Sequence, residues 1–248
     1  MTEAVTRTRA VLLDIEGTVT PISFVHDVLF PFAVNHVRDY LTRHSTTADV
    51  QEDVAALIRE HALDQSRGEH PPEAIDGICS IDAVVVYVKW LIERDRKVSA
   101  LKSLQGKIWE QGYRDGTLKA PLFEDVVPNL RRLRERGLSV GIFSSGSVYA
   151  QKLLFAHTQT GDHTGLIDRY FDTSVGSKVS PASYGEIASA LEVLPTEVTF
   201  VSDIANELSA AQAAGMVTLL CVRPGNQPQS PNERFQVIHN FSEILSTF

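Results

Sequence analysis

Apolar residues in this chain switch between two periods, and the switches outline its elements. Val11-Leu12-Leu13 is an unbroken apolar run of the kind a buried strand requires, and it stops at Asp14, Glu16, Gly17 and Thr18. Beyond Pro21 the spacing changes to threes and fours. Val25, Val28, Leu29, Phe32, Val37 and Leu41 predict a helix over 24–41, interrupted near Pro31. Val50, Val54, Leu57 and Ile58 predict a second over 47–63, with Thr46 or Thr47 as its cap. Two more are expected over 80–94 and 99–113, ending at the turn Arg114-Asp115-Gly116-Thr117. No strand is readable between 24 and 113.

After Phe123 strands and single helices alternate. The pattern predicts helices over 124–136, 148–156, from Pro181 to about Leu194, and over 205–214. Strands are expected over 138–143, 167–171 and 198–201, with a last strand over 217–222 and a short terminal helix over 241–248. Such alternation implies parallel pairing through right-handed crossovers. Roughly a hundred helical residues between the first strand and the next exceed what a crossover needs, so an inserted helical domain is the economical explanation. The expected fold is therefore α/β, a doubly wound parallel sheet carrying an inserted all-helical cap. Residues 1–19 with 123–248 would form the core domain and 20–122 the cap. An insertion leaving from just beyond Asp14 and Glu16 can close over that strand end.

Composition narrows the function. A chain of 248 residues, 43% hydrophobic and 22% charged, has the make-up of a globular protein, and its formal net charge of -8 offers no general basic face for nucleic acid or anionic membrane. A polar start, Met1 to Arg9, and no apolar stretch of about 18 residues point to a cytoplasmic protein. The two cysteines, Cys79 and Cys221, lack metal-ligand spacing and read as buried thiols in a reducing compartment. Eight histidines are scattered as surface or capping residues, with His26 nearest the first loop.

Polar residues at the strand ends carry the candidate chemistry. Asp14 and Glu16, two apart in extended chain, share a face and can address one substrate. Ser144 and Ser145 precede a helix whose free amides could bind an anion. Lys178 follows the third strand, and Asp203 with Glu207 follows the fourth. Each alone has an ordinary reading as a turn, a cap or a surface lysine. Together, one set per strand end, they point to a phosphate site on one edge of a parallel sheet.

These residues resemble the four motifs of the haloacid dehalogenase-like phosphohydrolases. The stretch Asp14-Ile15-Glu16-Gly17-Thr18-Val19-Thr20-Pro21-Ile22-Ser23-Phe24-Val25 is similar to one branch, the enolase-phosphatases of methionine salvage, also called acireductone synthases. Gln105-Gly106-Lys107-Ile108-Trp109, Gly112-Tyr113, Phe143 to Ser147 and Gly176-Ser177-Lys178 support it, and the likeness spans nearly the whole chain. Glu16 stands where most of the superfamily's phosphatases carry a second aspartate, a departure typical of the branch.

The resemblance implies a Rossmann-like core and a helical cap, with Asp14 as the nucleophile that forms an aspartyl-phosphate. Mg²⁺ would be held by Asp14, the Glu16 main-chain carbonyl and Asp203, with Glu207 supporting. Ser144, Ser145 and Lys178 would bind the phosphate, with Lys178 also restraining the charge on Asp14. Glu16 would carry protons. The implied substrate is 5-methylthio-2,3-dioxopentyl 1-phosphate, enolised and then dephosphorylated to acireductone. A phosphatase of another small phosphorylated metabolite is the alternative. Phe24, Phe30, Tyr87 and Trp90 are candidates either for the methylthio end or for the insert's own core. The chain is expected to act as a monomer.

Overall fold

A computed structural model of the protein describes residues 7–73, 80–227 and 234–247. Among these, β1 (Ala10–Leu13), β2 (Ser139–Phe143), β3 (Arg169–Phe171), β4 (Val198–Ser202), β5 (Val217–Cys221) and β6 (Gln236–Ile238) form one parallel sheet in the order β3-β2-β1-β4-β5-β6. All four β1 side chains are buried, as a strand covered on both faces requires. The chain winds outward from β1 through β2 to β3, then returns to the other side of β1 and winds out through β4 and β5 to β6. The direction reverses between β1 and β4, which is where open α/β sheets bind ligands.

The register decides what meets there. Leu13 is paired with Ile142 on one side and with Val201 on the other, so the residue after Leu13 emerges between the ends of β2 and β4. Helices α5 (Val126–Glu135), α6 (Val148–Ala156), α7 (Pro181–Ala190) and α8 (Ala205–Ala213) connect the strands. One sheet face packs Leu12, Phe143 and Phe200 against Tyr184 and Ile187 of α7 and Leu208 of α8, all fully buried.

Between β1 and β2 lies the helical insertion. The chain divides into two compact units, one running to Val25 and resuming at Lys119, the other being His26–Leu118. The insertion holds α1 (Phe30–His44), α2 (Ala48–Ser66), α3 (Ile81–Glu93) and α4 (Ser99–Arg114). Helix α1 packs on α3 and α4, and α2 packs on α4 and α3, burying Val37, Leu41, Leu57, Leu91, Leu101 and Leu104. Tyr87 and Trp90 stack at 5.8 Å within this interior, and the Tyr87 hydroxyl donates to Asp64. No helix among the described residues is long and apolar enough to cross a membrane.

Several expectations need correction. The expected interruption near Pro31 is a change of helix type: a π-helical turn over Phe24–Leu29 passes into α1, and Pro31 falls in the first turn of α1, where its missing N–H is harmless. The strand over 217–222 is not the last. β6 follows it, three residues long and largely exposed, too short to show a period. Helix α7 stops at Ala190, four residues before Leu194, and the expected terminal helix is a single 3₁₀ turn over Ile244–Thr247. Two histidines are buried: His61, whose Nε2 meets the Pro72 carbonyl at 2.9 Å, and His163, whose Nε2 meets Thr160 Oγ1 at 2.8 Å. His26 is exposed and lies edge-on to Phe30 at 5.5 Å. Cys221 is a buried free thiol, pushed up to about 12 by burial. Cys79 lies outside the described residues.

Candidate active site

Asp14 extends β1 by one residue, its amide donating to the Val201 carbonyl at 3.0 Å, and its side chain is buried. Lys178 reaches it from the loop before α7, with Nζ 2.6 Å from Asp14 Oδ1 and 2.8 Å from Glu207 Oε2. That loop is fixed from the core. The Tyr184 hydroxyl, whose ring packs on Phe143 and Phe200, donates to the Lys178 carbonyl at 2.7 Å, and Ser183 donates to the Ser177 carbonyl at 2.8 Å. Gly176 permits the approach: φ is +135°, and a Cβ there would lie 2.3 Å from Ser183 Oγ.

Asp203 and Glu207 come from the end of β4 and the first turn of α8, where the helix dipole favours negative charge. Ser202 links them to β1, its hydroxyl 3.0 Å from Glu207 Oε2 and 3.5 Å from Asp14 Oδ2, while it accepts the Ile204 amide at 3.1 Å. The sharp turn after β1 brings Gly17 against Asp203. Gly17 has φ +70°, and a Cβ on it would lie 2.4 Å from Asp203 Oδ2 and 2.9 Å from Asn226 Oδ1. Only glycine fits.

On the other side, Ser144 donates to the Glu16 carboxylate, at 3.3 Å to Oε2, and accepts the Gly146 amide at 3.1 Å. Gln151 holds this loop by donating to the Gly146 and Phe171 carbonyls, each at 2.8 Å. Ser147, rather than Ser144 or Ser145, caps α6, accepting the Ala150 amide. Ser145 is half-buried and makes no hydrogen bond to the cluster among the described residues. The sheet thus gathers Asp14, Glu16, Ser144, Lys178, Asp203 and Glu207 at one edge, with Ser145 beside them.

The electrostatics are lopsided: three buried carboxylates and Glu16 face one ammonium. Burial, then the charge of Asp14, push Asp203 up to about 7 against the pull of Lys178, and the same causes push Glu207 up to about 7. Burial also opposes the charge on Lys178, but Asp14, Glu207 and Glu16 outweigh it and hold the ammonium above the usual lysine range. A further cation would relieve the excess negative charge. No cluster of three or more His, Cys, Asp or Glu side chains suited to a metal exists among the described residues. A cation here would therefore take two carboxylates, main-chain oxygen and water, a donor set that fits a hard ion such as Mg²⁺. A buried oxygen beside Asp203, Asn226 Oδ1, has no hydrogen-bond partner and adds to the unmet demand for positive charge or donors.

Three residues of this edge escaped the strand-end motifs: Tyr184, Arg223 and Asn226. Arg223 closely follows β5, so the rule that strand ends carry ligands would have found it. Tyr184 carries no such signal, since its role is visible only from the packing.

A Rossmann-like sheet with this insertion after β1, and an aspartate, serine, lysine and acidic pair on successive strand ends, defines a class. The model of the haloacid dehalogenase-like hydrolase family matches residues 8–215, and the chain belongs to that class, whose phosphatases are typically metal-dependent. Its relatives are more specific. Enolase-phosphatase E1 of Synechococcus elongatus is 47% identical over 94% of this chain and 96% of its own length. That of Salmo salar is 42% identical, covering 96% and 94%. The crystal structure of UTR4 protein from Saccharomyces cerevisiae shares 34% identity and superposes with a TM-score of 0.75, covering 94% of this chain and 98% of that one. Within the hydrolase class, the chain is a member of the enolase-phosphatase E1 family.

Proposed function

We propose that this enzyme is the Mg²⁺-dependent phosphatase of methionine salvage that enolises 5-methylthio-2,3-dioxopentyl 1-phosphate and then dephosphorylates it to acireductone. The observation that carries the reading is the buried Asp14 carboxylate, held by Lys178 at 2.6 Å on the sheet edge where Asp203 also lies. The full-length similarity to enolase-phosphatases E1 supports the substrate.

Asp14 attacks phosphorus, the bond to the substrate oxygen breaks, and an aspartyl-phosphate forms. Water then attacks that phosphorus, the bond to Asp14 breaks and phosphate leaves, so one difficult hydrolysis becomes two easier displacements. Mg²⁺, held by the Asp14 and Asp203 carboxylates with the Glu16 carbonyl, would neutralise the phosphate charge that otherwise repels the nucleophile. Lys178 keeps one Asp14 oxygen fixed and, with Ser144 and the Ser145 amide, holds phosphate oxygens. Ser202 and Lys178 fix Glu207, which in turn supports Asp203. Glu16, longer by one methylene than aspartate and steadied by Ser144, removes the proton from the substrate carbon and later protonates the leaving oxygen. The enzyme acts as a cytoplasmic monomer, with no nucleic-acid or membrane partner.

The test measures enolisation and phosphate release separately, with and without chelator, on this diketone phosphate and on a panel of sugar phosphates. The diketone should show the highest kcat/KM, and chelation should abolish its turnover. Preference for another phosphate, or turnover indifferent to chelation, would sink the reading. Glu16→Gln should lose enolisation; normal enolisation by that variant would remove Glu16 from the proton-carrying role.

A further inference from the structure

The loop after β5 grips the turn after β1 at two adjacent carbonyls. Arg223 Nε donates to the Thr18 carbonyl at 3.2 Å, and Asn226 Nδ2 donates to the Gly17 carbonyl at 2.9 Å. Arg223 is itself immobilised. Its two terminal nitrogens each lie 2.9 Å from an Asp125 oxygen, Nη1 also meets the His239 carbonyl at 2.9 Å, and the guanidinium lies over Phe123 at 4.5 Å and Phe241 at 5.0 Å. This much anchoring explains a rigid turn. It does not explain the other half of the Asn226 amide.

Asn226 Oδ1 is buried without a partner, a condition that costs about 1–3 kcal/mol and is seldom left unrelieved. Turning the amide over would not help, because Oδ1 would then confront the Gly17 carbonyl, acceptor against acceptor. The oxygen is therefore held where it is, 2.9 Å from the point that a Gly17 Cβ would occupy, with Asp203 Oδ2 2.4 Å from the same point. Both oxygens face the Cα–H side of Gly17, too weak a donor to satisfy either. Such a pair needs a donor, and water bound to a cation is a strong one.

We propose that Asn226 is a positioning residue of the cation site: anchored by the Gly17 carbonyl, it turns Oδ1 beside Asp203 and accepts a hydrogen bond from a water of the divalent ion's shell. This rests on the proposed Mg²⁺-dependent reaction but assigns a residue outside its four strand-end motifs. Asn226 sets the affinity for the ion, not the chemistry performed on the phosphate.

The experiment titrates Mg²⁺ alone into the whole protein by calorimetry, comparing wild type with Asn226→Ala, Asn226→Asp and Asp203→Asn. Outer-shell partners of a metal typically govern 10- to 100-fold in affinity, so Asn226→Ala should bind Mg²⁺ about that much more weakly. Asn226→Asp loses the donor to Gly17 but keeps an oxygen acceptor and adds a negative charge that attracts the cation, so it should bind within a few-fold of wild type. At saturating Mg²⁺, Asn226→Ala should recover a near-normal kcat. Mg²⁺ affinity within twofold of wild type in Asn226→Ala, or equal losses in the alanine and aspartate variants, would overturn the proposal and leave Asn226 a purely structural tie. Should Asn226→Ala not fold, a loss in Asn226→Asp as large as that in Asp203→Asn overturns it alone. Wild type that binds no Mg²⁺ defeats the functional reading first, which separates the two failures.

Discussion

At the sheet edge, Asp14 and Glu207 share one ammonium with Asp203 nearby; in the helical unit, Asp64 receives Tyr87 Oη at 2.7 Å and Arg96 Nη2 at 2.7 Å, with Arg67 at 3.8 Å. Both groups are buried. Burial pushes the Asp64 carboxyl up, yet the hydrogen bonds from Tyr87 and Arg96 outweigh it and hold the group below the usual aspartate range. At the strand end burial wins, and two carboxyls rise to about 7. A carboxylate whose charged form is favoured stabilises the native state, and one whose charged form is resisted destabilises it. The contrast separates a charge kept for the fold from charges kept for chemistry, since binding sites are where strained electrostatics persist.

The largest effect should come from Asp14→Asn. Losing the proposed nucleophile should cut phosphate release by about 10⁴-fold or more. The metal-free protein should nevertheless melt no lower than wild type, because Asp203 and Glu207 lose the neighbour that opposes their ionisation. A fall of several degrees in thermal unfolding would break the comparison and make Asp14 a structural charge. Gly17→Ala should come next. It forces a side chain into the left-handed region at φ +70° and into Asp203, costing about 1–2 kcal/mol for the backbone alone and roughly 10²-fold in kcat from displacing that carboxylate. Wild-type kcat/KM in this variant would show that Gly17 and Asp203 can move apart without cost to catalysis.

The sequence carried the strand-end cluster well because its logic is local. Asp14, Ser144 and Asp203 each close a short apolar run, Lys178 lies in the loop after a fourth, and parallel alternation brings such ends to one edge. Arg223 and Asn226 obey the same rule, but a loop of Arg-Pro-Gly-Asn reads as an ordinary turn until the Gly17 and Thr18 carbonyls are seen against it. β6 was invisible for another reason: three residues, two of them exposed, have no period to display. The helical cluster was the least legible part. Asp64 lies on a helix among polar neighbours, and its burial depends on Tyr87 and Arg96, 23 and 32 residues further on. His61 was misjudged for the same reason, since its ring is buried edge-on to Tyr87 at 4.8 Å.

Asp64→Ala supplies the mirror image of Asp14→Asn. Removing Asp64 leaves the buried Tyr87 hydroxyl without its acceptor, while the half-buried Arg96 keeps Glu60, and costs about 1–3 kcal/mol. In a chain of this size each kcal/mol lowers Tm by about 2–4 °C. Folded Asp64→Ala protein should keep its kcat/KM within about twofold. A large loss of catalysis at normal stability would mean that the two clusters are not the different kinds of thing their charges indicate.

The smallest effect is the acid limb of stability, where the sign can be worked out. Because the native state holds Asp64 below its unfolded value near 3.8, the unfolded chain binds more protons as the pH falls past that value. Stability from Asp64 is therefore fully present above about pH 5 and is lost as pH drops through its native value. Tyr87→Phe removes one of the two hydrogen bonds to the carboxylate, worth about 1.5–3 kcal/mol, so its native pKa should move back toward 3.8. Denaturant titrations between pH 2 and 6 should then show wild type and Tyr87→Phe converging as the pH falls, with the wild-type curve the steeper. Parallel curves would mean that Asp64 owes its low pKa to Arg96 and Arg67 and that the tyrosine hydroxyl is a bystander.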